Sequence, residues 1–188
     1  MSTAHQPTQS YSPGEYLALE RRAEQKHEFN GGRIVAMAGA NARHNLICSS
    51  LTAAAVPLVR RHGCKFFGSD MKVWVHQTGL YTYPDASIAC GVAEYQDQHE
   101  DVLLNPCVLI EVLSKSTASR DRGWKFQNYW KIPSLVDYVL VSQDKPLVEH
   151  YVRRPDGNWM FEFVEGLEGT LQLTAVDCQL PLADIYLD

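Results

Sequence analysis

Asp85, in Tyr83-Pro84-Asp85, and Glu111 are the acids most able to do chemistry in this chain. Glu111 lies inside Pro106-Cys107-Val108-Leu109-Ile110-Glu111-Val112-Leu113, which holds no other charge. Such a run reads as a strand buried on both faces. An unpaired carboxylate there is expensive, so it must neutralise, pair or bind a cation. If the strands that carry the two acids are adjacent, Asp85 and Glu111 lie ~5 Å apart. That spacing suits one hard divalent ion, since Mg²⁺ takes one or two carboxylates and completes its shell with water and phosphate oxygens.

Other candidates cluster behind this pair. Asp121, Lys125 and Tyr129 recur every four residues and so share a helix stripe. A lysine beside carboxylate-bound metal could orient water or stabilise charge on a phosphate oxygen. The same spacing also fits a plain Asp121–Lys125 surface pair, worth a few tenths of a kcal/mol. Glu28, in Lys26-His27-Glu28-Phe29, is either a further oxygen donor or an ordinary helix-end charge. His44, opening a helix in Asn41-Ala42-Arg43-His44-Asn45, is either a phosphate or proton contact or an exposed first-turn residue. Asp70 could approach the acids from a turn. Ser114 lacks a His–Asp arrangement and a G-x-S-x-G context, which excludes a serine hydrolase. Neither a Walker A loop nor G-x-G-x-x-G is present.

These residues need elements to position them. Ser12-Pro13-Gly14-Glu15 predicts a capped helix to about Gln25, with Tyr16, Leu17, Leu19 and Ala23 apolar. Asn30-Gly31-Gly32 predicts a tight hairpin within Glu28 to Met37. Asn41 predicts a second helix, ended by Gly63 and kinked or broken at Pro57. Strands are expected at Cys64 to Phe67, Met71 to His76 and Leu80 to Cys90. Pro84 marks a bulge, an edge or the end of regular pairing in the last of these. Gly91 to Asn105 reads as an exposed loop, Cys107 to Leu113 as the buried strand, and Ala118 to Lys131 as a third helix. Val136 to Val141, a hairpin of Leu147 to Arg153 with Trp159 to Val164, and Leu171 to Val176 complete the set. Strands and helices mix without strict alternation, so the expected fold is α/β (α+β), a mixed central β-sheet flanked by helices.

The 188 residues suit one domain, here 11–188 behind a loose tail at 1–10. With 45% hydrophobic and 21% charged residues, the chain is globular rather than disordered. A formal net charge of -5 excludes a uniformly basic glove for nucleic acid. The densest basic group is Arg120, Arg122, Lys125 and Lys131, readable as a contact patch or as the solvated face of a helix. The cysteines Cys48, Cys64, Cys90, Cys107 and Cys178 are scattered and lack C-x-x-C. This spacing indicates neither a zinc site nor a disulfide framework. No run is long enough to span a bilayer, and no apolar signal core opens the chain, so a reducing, cytoplasmic setting is expected.

Taken in order, Glu28, Pro84-Asp85 and Glu111 resemble the PD-(D/E)XK nuclease superfamily. Tyr83-Pro84-Asp85, Ile110-Glu111-Val112-Leu113-Ser114-Lys115-Ser116-Thr117 and the Asp121, Lys125, Tyr129 string are similar to its Uma-type restriction endonuclease family, with weaker agreement at Glu28, Gly31-Gly32 and His44. The resemblance runs from about Tyr11 to Leu187. It implies a restriction-endonuclease-like fold and metal-dependent hydrolysis of DNA phosphodiesters. Asp85 and Glu111 would bind Mg²⁺, or Mn²⁺, and Glu28 would support the metal or its water. The motif lysine is missing, because Leu113 occupies its position. The resemblance points instead to Lys125, with Lys115 as the other candidate; Tyr129 and His44, with Arg120 of the basic group, are expected near substrate. A catalytically inactive module that binds nucleic acid or serves assembly is the alternative. Exposed strands in the C-terminal half make a homodimer the expected oligomer.

Overall fold

The computed structural model describes residues 9–187, so most of the expected N-terminal tail lies outside the described residues. A capping box opens the first helix, α1 (Pro13–Glu20), in which Ser12 and Glu15 bond each other's backbone N–H. The helix stops at Glu20, short of the expected Gln25. The Glu20 carboxylate is buried and accepts the backbone N–H of His27 at 2.8 Å, which turns the chain into the first strand. Strands β1 (His27–Asn30) and β2 (Arg33–Ala36) form the expected hairpin. Gly31 and Gly32 take φ of 56° and 84° at its tip, a conformation that suits glycine.

Helix α2 (Ala42–Arg61) buries Ile47, Leu51, Ala55 and Val59, a single stripe at spacings of four. It runs through Pro57 unbroken, so of the kink or break expected there the break does not occur. Pro57 and Ala53, whose carbonyl the ring leaves without a donor, both face solvent. Strands β3 (Cys64–Gly68), β4 (Lys72–Val75), β5 (Leu80–Thr82) and β6 (Ala86–Cys90) follow. The expected continuous strand from Leu80 to Cys90 is therefore two strands in two different sheets, divided at Tyr83-Pro84-Asp85. The polar stretch after it is not wholly an exposed loop, because β7 (Val102–Leu103) is buried and pairs parallel with β4. The buried strand is β8 (Val108–Val112).

The third helix is composite. Helix α3 (Ala118–Arg120) passes into a π-helical turn, Asp121–Lys125, and then into α4 (Phe126–Tyr129). Strands β9 (Asp137–Val141), β10 (Leu147–Arg153) and β11 (Trp159–Glu165) form a meander. Strands β12 (Thr170–Leu173) and β13 (Cys178–Pro181) make a separate hairpin, and α5 (Leu182–Ile185) ends the fold.

One sheet has the order β2-β1-β5-β4-β7, and the larger has β11-β10-β9-β8-β6-β3. Helices α2 and α5 and the β12–β13 hairpin cover one face of the larger sheet, burying Ile88, Ile110 and Val139. On its other face Leu109, Tyr138 and Leu140 pack with Tyr129 and with Val73 and Leu80 of the smaller sheet. Each fully buried aliphatic side chain contributes about 1.5–3 kcal/mol.

Buried Asp137 ties the C-terminal hairpin to this frame. It accepts the N–H groups of Thr174 and Ala175 and lies 2.8 Å from His150 Nε2. Cys64 and Cys90 stand opposite each other on β3 and β6 and are joined as a disulfide. This corrects the expectation of unlinked cysteines, since pairing across strands leaves no trace in their spacing.

Candidate active site

Strands β6 and β8 pair antiparallel, with Ala86 opposite Ile110. Asp85 immediately precedes β6, and Glu111 immediately follows Ile110 on β8. Asp85 sits where the chain leaves the smaller sheet for the larger. There its Oδ2 accepts the N–H of Val112 at 2.7 Å. This bond fixes the carboxylate and leaves Oδ1 to face His44 Nε2, 3.2 Å away.

Glu111 is buried and receives two hydrogen bonds on one oxygen. Lys125 Nζ donates to Oε1 at 2.9 Å and Tyr129 Oη at 2.8 Å, so neither uses Oε2. Burial pushes the Glu111 carboxyl up to about 8, helped by Asp85 and Asp121 and opposed by Lys125. Lys125 is buried as well. Burial pulls its ammonium down, but Glu111, Asp121 and Glu28 outweigh that and hold it above the ordinary lysine range. Its Nζ lies 3.4 Å from Asp121 and 3.9 Å from Glu28. The π turn brings Asp121 and Lys125 inward together, and irregular turns of this kind recur at functional sites. Asp121 Oδ1 is buried without a hydrogen-bond partner among the described residues.

Glu28 comes from the smaller sheet. Thr82 Oγ1 donates to its Oε1 at 2.5 Å, and Arg120 bonds its Oε2. The structure thus gathers Asp85, Glu111, Lys125, Glu28, Arg120, Tyr129 and His44 in one place. Tyr129 is wholly buried behind Glu111, whereas Arg120 stays at the rim, stacked 4.5 Å from the Trp124 ring.

The basic group does not form a contact patch, one of its two readings. Arg120 pairs with Glu28, Arg122 with Glu149, and Lys125 is buried. Lys115 is exposed on the loop beyond β8, and Ser114 accepts the N–H of Thr117 ahead of α3. Asp70 pairs with Lys26 at 2.5 Å at the surface rather than joining the acids. An open depression of about 480 Å³ between Phe66–Met71 and Glu100–Asp101 gathers none of these groups. Sequence reading missed Thr82, Cys48 and Gln143. Only Thr82 left a signal, as a polar residue in an apolar strand beside Pro84-Asp85.

His44 is raised to about 10, chiefly by its hydrogen bond to Asp85 and then by Cys48, against the opposing effect of burial. Its ordinary value is about 6.5. A folded value above the unfolded one means that the pair stabilises the fold fully below about pH 6.5, a contribution lost as pH rises through about 10. Asp85→Asn is expected to return the imidazole towards 6.5, read from its proton resonances across a pH series. An unmoved titration would separate His44 from Asp85.

A mixed sheet with Glu111 on one strand, Asp85 just ahead of its neighbour and a lysine from the next helical segment has the restriction-endonuclease-like fold. The family model described as "Putative restriction endonuclease", Uma2, matches residues 13–183, and the chain belongs to that family. Two uncharacterized proteins of Synechocystis sp. are similar over most of their length. One, slr1290, is 36% identical over 84% of this chain and 83% of its own, and the other, sll1609, is 32% identical over 89% and 94%. A crystal structure described as a putative nuclease belonging to DUF820, from Anabaena variabilis, shares the fold. Its TM-score is 0.74 at 17% identity, covering 92% of this chain and 95% of that one. No helix among the described residues is long and apolar enough to cross a membrane.

Proposed function

We infer that the chain is a Mg²⁺-dependent endonuclease that hydrolyses DNA phosphodiester bonds. The observation that carries this reading is the Asp85 carboxylate held by the N–H of Val112, the neighbour of Glu111, with Lys125 Nζ 2.9 Å from Glu111. The donor set fits a hard ion. Glu111 Oε2 is not taken by the bonds to Lys125 and Tyr129, and Asp85 Oδ1, which faces His44, is not taken by Val112, so two carboxylates are on hand for an ion that completes its shell with water and phosphate oxygens. Bound there, Mg²⁺ would supply Lewis-acid polarisation of the phosphate and a more acidic water; Mn²⁺ takes the same donors.

The chain's own groups divide the remaining work. A lysine held above its ordinary range keeps its proton, so Lys125 does not serve as the base. It holds Glu111 in place and offers N–H to charge developing on a phosphate oxygen. Tyr129 fixes the same carboxylate from behind. Glu28, braced by Thr82 and Arg120, faces Lys125 and would support a bound metal or its water. Arg120 at the rim is the group best placed to meet the DNA backbone, by exchanging Glu28 for phosphate.

The test is nicking of plasmid and cleavage of single-stranded DNA with Mg²⁺, with Mn²⁺ and with chelator. Chelator-sensitive cleavage that disappears in Asp85→Asn supports the nuclease. Binding of DNA with identical, metal-independent traces for both proteins would leave the inactive binding module in its place.

The proposed active form is a homodimer. Strand β11 is an edge of the larger sheet and exposes Phe161 and Phe163, a combination that invites pairing with a second copy. Phe163→Lys should shift the sedimentation coefficient from dimer to monomer, and a wild type that sediments as a monomer would end this idea.

A further inference from the structure

The widest-ranging clue outside the Mg²⁺ centre is what stands behind Asp85. His44 and Cys48 lie one turn apart on α2 and so project from the same face of the helix. A nitrogen of His44, the Cys48 sulfur and an oxygen of Asp85 all lie within 4.8 Å of one another, and none of the three residues is exposed. His44 Nε2 and Asp85 Oδ1 are 3.2 Å apart. Two ligands ~2.0–2.1 Å from a tetrahedral ion are separated by about 3.3 Å, so this gap already matches one edge of such a site. The supporting contacts are also in place. Asn41 caps the first turn and accepts the His44 N–H, the Val112 N–H fixes Asp85, and the Gln143 amide lies 3.4 Å from His44 Nδ1. A ligating imidazole is oriented by a partner on its other nitrogen, and Gln143 holds that position.

We propose that His44, Cys48 and Asp85 form a second metal site, selective for a thiophilic divalent ion of the Zn²⁺ class, that competes with the Mg²⁺ centre for Asp85. Thiolate and imidazole favour Zn²⁺ or Co²⁺, whereas the all-oxygen set around Glu111 favours Mg²⁺. Three protein ligands leave a fourth position for water. The ion replaces the Nε2 proton facing Asp85 and the Cys48 thiol proton, and both are released to solvent. With Oδ2 held by the Val112 N–H, Asp85 presents one oxygen, so occupancy by one ion opposes the other. The cysteine spacing concealed this site because its third ligand lies far along the chain.

Metal binding here stands independently of the nuclease reading; only the competition rests on it. The test begins with Co²⁺ titrated into the full chain without reductant. One equivalent should give a thiolate-to-cobalt charge-transfer band that Zn²⁺ bleaches. The band should vanish in Cys48→Ser, weaken in His44→Gln and persist in Cys107→Ser and Glu111→Gln. Loss of an outer-shell partner costs about 10–100-fold in affinity, so Cys48→Ser should bind Zn²⁺ at least ~100-fold more weakly. Absence of the band in the wild type, or an equal band in Cys48→Ser, overturns the site whether or not the protein cleaves DNA. Where Mg²⁺-dependent nicking is present, Zn²⁺ should inhibit it in the wild type and only at much higher concentration in Cys48→Ser. Equal inhibition of both would overturn the competition.

Discussion

Glu111→Gln is expected to reduce Mg²⁺-dependent nicking by at least ~1,000-fold while leaving the fold intact. Lewis-acid stabilisation of a developing charge is worth several kcal/mol. Each 1.36 kcal/mol is a factor of ten in rate, so losing about 4 kcal/mol gives that figure. The amide keeps the size of the side chain and an oxygen for Lys125 and Tyr129, but it lacks the anionic oxygen an ion requires. The fold should tolerate the change because Lys125 still faces Asp121 at 3.4 Å and Glu28 at 3.9 Å. A pH series adds a second signature. The folded Glu111 value, about 8, lies above its ordinary 4.5. Its contribution to stability is therefore complete below pH 4.5 and lost as pH rises towards 8. In chelator, Glu111→Gln should gain on the wild type across that interval. Nicking rates within tenfold of each other would remove Glu111 from the metal centre.

Lys125→Met carries the other large effect, this time on stability. The ammonium is the buried cation shared by Glu111, Asp121 and Glu28. Methionine preserves much of the packing but leaves buried carboxylates uncompensated. Breaking a buried pair in this way costs about 3–5 kcal/mol. Urea denaturation in chelator should register that loss. The double variant Lys125→Met with Glu111→Gln should recover part of it, with a coupling of about 0.5–3 kcal/mol for groups in contact. A single-variant loss below about 1 kcal/mol would mean that water reaches the cluster and screens it.

Much of this centre is legible in the residues. An uncharged run around Glu111 and a proline beside Asp85 indicate strands with costly acids. The spacing of Asp121, Lys125 and Tyr129 places all three on the stripe that meets Glu111, and the Gly31-Gly32 turn marks its hairpin. Local periodicity reports which face of an element is apolar, but not which element it meets. The division of Leu80 to Cys90 between two sheets therefore stays hidden, as do the Thr82 bond to Glu28, the Cys64–Cys90 link and the buried role of Glu20. Strand β7 escapes because two paired residues are too few to show an alternation. The π turn escapes because Asp121 to Lys125 has the composition of an ordinary helix. Charge counting also misleads around Arg120 and Arg122, whose partners Glu28 and Glu149 come from strands distant in sequence.

The placement of Glu28 on the smaller sheet and Glu111 on the larger, with Asp85 at the crossing between them, bears on how the molecule acquires activity. A chain in which each sheet had formed but the two had not docked would keep Asp85 beside β8 but would lack Glu28 and its Thr82 support. On the proposed reading, full competence thus needs the docking of the two sheets as well as the larger sheet itself. On that reading a copy with undocked sheets would be impaired in cutting, and the two-sheet joint would act as a safety catch on the chemistry.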